Sequence, residues 1–364
     1  LSLVLPCLGW LLLRAVYASH VPRELPVAVL DEDGTALSRR IARAIDAAAT
    51  VRVIRPSASG GDAESILWRG DAYAAVVLPA GLERRVARGD ATAVSLHTNG
   101  QWIIPSGLIT RDVRGAVGTV SAEVELRERV RRGEPAARAR VLVEPVRFEL
   151  HPLHNPALDY AAFVLAALVP TLLQLFVVVT IVRAVGSELD EGTAVEWIDA
   201  GGGRVGVAVV GKLVPHVAWF GVLSIAMLEG TALTLTLPIA GSRALLWLAL
   251  LLLVAACASL GVLLVAVTGR IELATSAAGF LTGPAFAVAG VAYPTEAMPL
   301  AGRLWSAALP LSHYLRVQSQ QWAADLPLAG SVSALGVLLL VSLLPVFALG
   351  RIARLAPRRV AEAP

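Results

Sequence analysis

The chain has 364 residues, 56% hydrophobic and 16% charged, and its 31 lysines and arginines against 28 acidic residues leave a net charge of +3. So apolar a composition excludes an ordinary soluble domain of this length. The basic residues are almost all arginine, with Lys212 the single lysine; this reads as the coding bias of a GC-rich genome, with no nucleic-acid footprint. Cys7 and Cys257 each sit inside an apolar run, which leaves no disulfide framework and no cysteine-based metal site.

In chain order, residues 1–17 (LSLVLPCLGWLLLRAVY) read as a first membrane helix whose start is expected upstream of Leu1, with Arg14 reaching an interface. A cleaved signal peptide is the competing reading, disfavoured by Arg14 and by the missing basic leader. Residues 19–157 hold most of the charge and read as a mixed α/β domain with a stalk. Strands are predicted at 27–30, 51–54, 74–78, 93–97, and 141–143 with 146–150, where β-rich runs alternate with helical ones. Helices are predicted at 38–48, at 63–69 after an Asp62 cap, and at 82–88. Gly70 and Gly89 follow the last two, where a glycine stop is expected. A charged helix over 106–132 reads as a solvated stalk returning to the membrane.

The second half is nearly continuous apolar helix. The run 160–182 matches the roughly 20 residues needed to cross a bilayer core of about 30 Å. Further spans are predicted at 205–228, 245–267, 273–292 and 332–349. With the first segment this makes six transmembrane helices: a polytopic α-helical membrane protein with an inserted mixed α/β extracytoplasmic domain. Arginine placement sets the orientation. If the α/β domain is outside, the inner segments carry Arg183, Arg204, Arg270, Arg351, Arg354, Arg358 and Arg359, and the short outer loops carry only Arg243, Arg303 and Arg316. Residues 183–204 are then a cytoplasmic elbow, with Glu188, Glu191, Gly192, Thr193 and Glu196 leading to Lys212 in the next span. Between the last two spans, 293–322 is too short and broken to cross. Tyr293, Pro294, Met298, Pro299, Pro310, His313 and Tyr314 mark it. Irregular backbone at membrane depth survives only where it is buried in protein or lines a cavity. A re-entrant pair of short helices and an ordinary amphipathic loop are the two readings.

Two nucleotide-binding patterns are rejected on context. Residues 201–206 match G-x-G-x-x-G, but no strand precedes them; 206–212 match G-x-x-x-x-G-K, but Leu213 stands where a Ser or Thr must reach magnesium. The pair His151 and His154 flanks Pro152 without a carboxylate nearby and reads as a linker in preference to a metal site. No hydrolase motif is visible. Ion-coupled transport needs ionisable residues inside the spans, and apart from Lys212 and His216 these lie at predicted helix ends.

The arrangement resembles the permease subunits of ABC-2 type ABC transporters, in the subgroup with a large extracytoplasmic domain after the first helix. The resemblance rests on residues 25–33 with Ser38 and Arg39, 70–79 with 82–84, and Asn155 with Pro156. It continues through Glu188, Glu191, Gly192, Thr193 and Glu196 with 211–215, then Tyr293 and Pro294 with Met298 and Pro299, and 310–314. The chain departs from the family where Val169-Pro170-Thr171 stands in place of Pro-Gly and Gly201-Gly202-Gly203 in place of Thr-Pro. The resemblance implies a multidrug-exporter-like permease in a bacterial cytoplasmic membrane, moving a hydrophobic or amphipathic substrate. Its partners would be a cytoplasmic ABC ATPase, a second permease subunit in a homo- or heterodimer, a periplasmic adaptor and the lipid bilayer. ATP and magnesium would be bound by the ATPase and no cofactor by this chain. Glu188, Glu191, Gly192, Thr193, Glu196 and Lys212 would form the coupling elbow, with the acidic side chains facing the ATPase. Tyr293, Pro294, Met298, Pro299, Pro310, His313 and Tyr314 would form an outer gate. A membrane-anchored scaffold is the alternative.

Overall fold

The computed structural model describes residues 4–18, 22–55, 63–143, 155, 159–235, 239–323 and 326–360. The chain divides into two compact units: Val21–His151, and Leu1–His20 together with Pro152–Pro364. Helix α1 (Leu5–Val16) opens the second unit and is 12 residues long.

Among the described residues the Val21–His151 unit is a four-stranded sheet with helices on both faces. It runs β1 (Leu25–Asp31), α2 (Ala36–Asp46), β2 (Val51–Ile54), α3 (Ala63–Arg69), β3 (Ala74–Leu78), α4 (Leu82–Arg88), β4 (Ser95–Thr98), α5 (Ile103–Arg131) and α6 (Ala136–Val143). The strand order is β2-β1-β3-β4, with β1 parallel to both neighbours and β4 antiparallel to β3. A parallel strand covered on both sides is apolar throughout, and β1 shows why. Val27 and Val29 pack with Ile41 and Ile45 of α2 and Ile109 and Val113 of α5. Ala28, pointing the other way, packs with Ala63 and Ile66 of α3.

Helix α2 starts at a capping box, in which Thr35 Oγ1 accepts from the Ser38 amide and Ser38 Oγ accepts from the Thr35 amide. Asp112 of α5 accepts from Thr50 Oγ1 at 2.6 Å and from Arg111 Nε at 2.8 Å, pinning α5 to the turn before β2. Burial pushes the Asp112 carboxyl up, but these hydrogen bonds and the Arg111 charge outweigh it and hold the group below its ordinary value. The charged end of α5 spends its residues on local pairs, including Arg129 with Glu125 at 2.8 Å.

One predicted strand is corrected here. Residues 141–143 form the last turn of α6, because the Ala-rich 136–140 run carries helix into them and Ala139 is buried. Residues 146–150 and the expected Asp62 cap lie outside the described residues.

The helical unit continues with α7 (Tyr160–Asp190), α8 (Ala194–Ala200), α9 (Val205–Thr234), α10 (Arg243–Thr268), α11 (Ile271–Thr282), α12 (Ala285–Val288), α13 (Leu300–Ala308), α14 (Pro310–Gln318), α15 (Leu328–Ser342) and α16 (Pro345–Val360). Among the described residues four stretches are long and apolar enough to cross a membrane: α7, α9, α10, and α15 with the start of α16. The protein is therefore a polytopic, mostly helical membrane protein. The most apolar windows of α7 and α10 are each 61% buried, against 22% for α9 and 17% for α15–α16, so α7 and α10 are the central pair.

They cross closely at Gly261, where an added Cβ would lie 2.9 Å from Ile181 Cβ and 3.0 Å from the Val178 carbonyl oxygen. The expectation of one continuous span at 273–292 is corrected: the run divides into α11 and α12 at Gly283-Pro284. Pro284 has no N–H to donate and clashes with the preceding turn, and Gly290 at φ 89° turns the chain again after α12. Of the six predicted spans, the described residues show these four at full length, with α1 described over 12 residues.

Candidate functional site

Two regions of the helical unit gather the predicted residues. At the elbow, α7 ends at Asp190, and Gly192 at φ 75° reverses the chain into α8, a conformation that glycine adopts without penalty. Glu188, expected to face a partner, instead turns inward. Its carboxylate accepts from Thr193 Oγ1 at 2.5 Å and pairs with Lys212 of α9. The Lys212 ammonium also stands 5.6 Å from the centroid of the Trp197 ring of α8, within cation–π range. A half-buried lysine in an apolar helix needs a counter-charge, and Glu188 is placed to supply it. These contacts tie α7, α8 and α9 together at one corner.

Glu191 and Glu196 are exposed and carry no ion pair among the described residues, and exposed Asp199 extends their acidic edge. The glycine run closes the corner. Gly202 and Gly203 both have φ 70°, and the Gly203 amide donates to the Ile198 carbonyl at 3.1 Å. Residues 206–212, the rejected phosphate-loop pattern, lie inside α9. The Val207 and Ala208 amides donate to the Arg204 carbonyl at 2.9 and 3.1 Å.

The proline-broken stretch forms two nine-residue helices, α13 and α14, each roughly 14 Å long at about 1.5 Å per residue and too short to cross a bilayer. Pro299 precedes α13 and Pro310 is the first residue of α14, where a missing N–H costs nothing. Met298 and Tyr314 are buried, and Tyr293 is exposed. His313 Nε2 lies 2.9 Å from the Ala307 carbonyl; a carbonyl only accepts, so this nitrogen carries the proton. Among the expected gate residues Pro294 lines a cavity of about 560 Å³. The cavity lies between the start of α7, residues 289–296, and α13 and α14, and Tyr293, Met298, Pro299, Pro310, His313 and Tyr314 are not in its lining.

Two glutamines that the sequence reading passed over tie α7 to α14. Pro170 inside α7 has no N–H for the Ala166 carbonyl; Gln318 Nε2 donates to that oxygen at 2.7 Å. In return, Gln174 Oε1 of α7 accepts from the Leu311 amide at 3.1 Å, satisfying one of the free donors at the start of α14. A glutamine in an apolar run was the available signal.

We expect Gln318→Leu to cost about 1 kcal/mol, since it orphans one carbonyl in a setting where interhelical hydrogen bonds contribute modestly. Thermal unfolding in detergent checks this; an unchanged midpoint would remove the bond from the account. Beyond α14, a π-helical turn at Ser319–Ala323 presents Gln321, whose Nε2 donates to the Leu326 carbonyl at 2.9 Å and whose Oε1 accepts from the Ser242 amide at 3.2 Å.

No curated protein and no solved structure matches the chain. A family model described as ABC-2 family transporter protein matches residues 1–349, nearly its whole length, and the protein belongs to that family.

Proposed function

We propose that the chain is the membrane-spanning permease subunit of an ATP-driven exporter, with ATP hydrolysed on magnesium by a separate cytoplasmic subunit. The observation that carries this reading is α7. It is one continuous helix of 31 residues whose first turns wall the 560 Å³ cavity and whose last turn holds Glu188 in the elbow. A push on a corner locked by Glu188, Thr193 and Lys212 is thus delivered along α7 to the cavity, and through Gln174 and Gln318 to α14. Coupling of this kind needs a rigid connecting element with two packings to choose between. The exposed acidic edge of Glu191, Glu196 and Asp199 suits docking to a soluble ATPase by charge and shape.

In this reading α1 and the broken α11–α12 complete six membrane-embedded elements. Two such subunits pair as a homo- or heterodimer in a bacterial cytoplasmic membrane. The Val21–His151 unit lies on the extracytoplasmic side, available to a periplasmic adaptor, and the substrate is hydrophobic or amphipathic. The test is co-purification with the ATPase encoded beside this chain, together with a cysteine placed at Gly89. Retention of the ATPase and labelling of Gly89→Cys from outside intact cells support the reading. Labelling only after lysis overturns the orientation, and failure to retain any ATPase favours a membrane-anchored scaffold.

A further inference from the structure

The cavity between α7, α13 and α14 carries chemistry that the permease reading leaves unused. Its volume of about 560 Å³ falls in the range of small-molecule sites, roughly 300–1,000 Å³. One wall is apolar, formed by Ala162, Phe163 and Ala166 of α7 with Leu315 of α14. Glu296 and Arg316 also line it, from the 289–296 stretch and from α14.

Both are exposed, and they form no ion pair with each other or with any other charged group among the described residues. Among the described residues the Glu296 carboxylate accepts only from the neighbouring Thr295 hydroxyl, at 3.2 Å. Among the described residues Glu296 and Arg316 are the only charged groups lining this mostly apolar cavity, and they do not pair with each other.

That combination selects among ligands by elimination. A cationic amphiphile satisfies Glu296 but meets Arg316 with like charge, and an anionic one does the reverse; a neutral one satisfies neither. A molecule with an apolar body and both charges on its head satisfies all three features at once.

We propose that this cavity binds a zwitterionic amphiphile, with its cationic group at Glu296, its anionic group at Arg316, and its apolar body along the Ala162–Ala166 face of α7. As a binding site this stands on the cavity alone; as a statement about what is transported it rests on the permease reading above.

The experiment titrates the full chain, purified in a neutral maltoside detergent, with three single-chain probes below their micelle concentrations. These are lysophosphatidylcholine, lysophosphatidylglycerol and dodecyltrimethylammonium, zwitterionic, anionic and cationic respectively, and binding is read by calorimetry. The zwitterionic probe is expected to bind one per chain and tightest. Arg316→Gln should cut its advantage over the cationic probe, and Glu296→Gln its advantage over the anionic one, each by about threefold to tenfold for solvent-screened charges. Both replacements are at exposed positions, so folding is retained. A third variant, Ala166→Leu, fills the cavity and should weaken all three probes.

Equal affinity for the three probes, or a preference unchanged in both charge variants, overturns the proposal. A chain that retains its ATPase yet shows no zwitterion preference loses this site alone. A chain that binds selectively but retains no ATPase keeps the site and loses the permease reading.

Discussion

The double variant Glu191→Lys/Glu196→Lys is expected to lose its ATPase on co-purification, with affinity falling by about tenfold or more. Both carboxylates are exposed on the elbow and neither is committed to an ion pair within the described chain. Reversing them therefore leaves the fold intact while placing like charges against whatever basic surface the partner presents, which is the costly case at an interface. Glu188 is the informative contrast. Its carboxylate is spent on Thr193 and Lys212, so Glu188→Gln should weaken the corner and leave the docking charge in place. Dissociation by the double variant with a normal thermal midpoint is the predicted pattern. Full retention of the ATPase would take the acidic edge out of the interface.

The second large effect is expected from Gly261→Leu. The α7–α10 crossing is the centre of the helical unit, and a Cβ at Gly261 already comes within 3.0 Å of backbone at Val178 and within 2.9 Å of Ile181. A backbone carbonyl has no rotamer to yield with, so the helices must separate. Overpacking costs typically about 1–3 kcal/mol, and displacement of two central helices puts this variant at the upper end. Gly336→Leu in α15 is the control, because nothing lies within 4 Å of its added Cβ. The fraction of monodisperse protein in detergent and its thermal midpoint should fall for Gly261→Leu and stay near normal for Gly336→Leu. Equal behaviour of the two would mean that the crossing does not organise the unit.

How far the sequence carried depended on the range of the interaction. The first three strands of the α/β unit were legible because β1, β2 and β3 are short valine-rich, mostly apolar runs closed by turn signals. Helix stops at Gly70 and Gly89 were legible because both positions need positive φ, observed at 75° and 82°. The strand expected at 141–143 failed because three apolar residues look alike in either structure; the preceding alanines and the packing of Ala139 decided for helix. The break at Gly283-Pro284 was written in the sequence, but the surrounding hydropathy masked it.

What could not be read was pairing across distance. Glu188 and Lys212 are 24 residues apart and Gln318 and Ala166 are 152 apart, so charge alone could not show that Glu188 turns inward. Nor could it show that Gln318 repairs the helix at Pro170. Glu296 and Arg316 share a cavity only because α12 and α14 fold back on α7.

The measurement closest to the central claim is the ATP hydrolysis rate of the partner ATPase in lipid vesicles, alone, with this chain, and with its Glu191→Lys/Glu196→Lys variant. The chain is expected to change the rate, and the double variant to return it to the value of the ATPase alone. A rate indifferent to the chain, or changed equally by both forms, would contradict the elbow as the point where hydrolysis is coupled to the membrane.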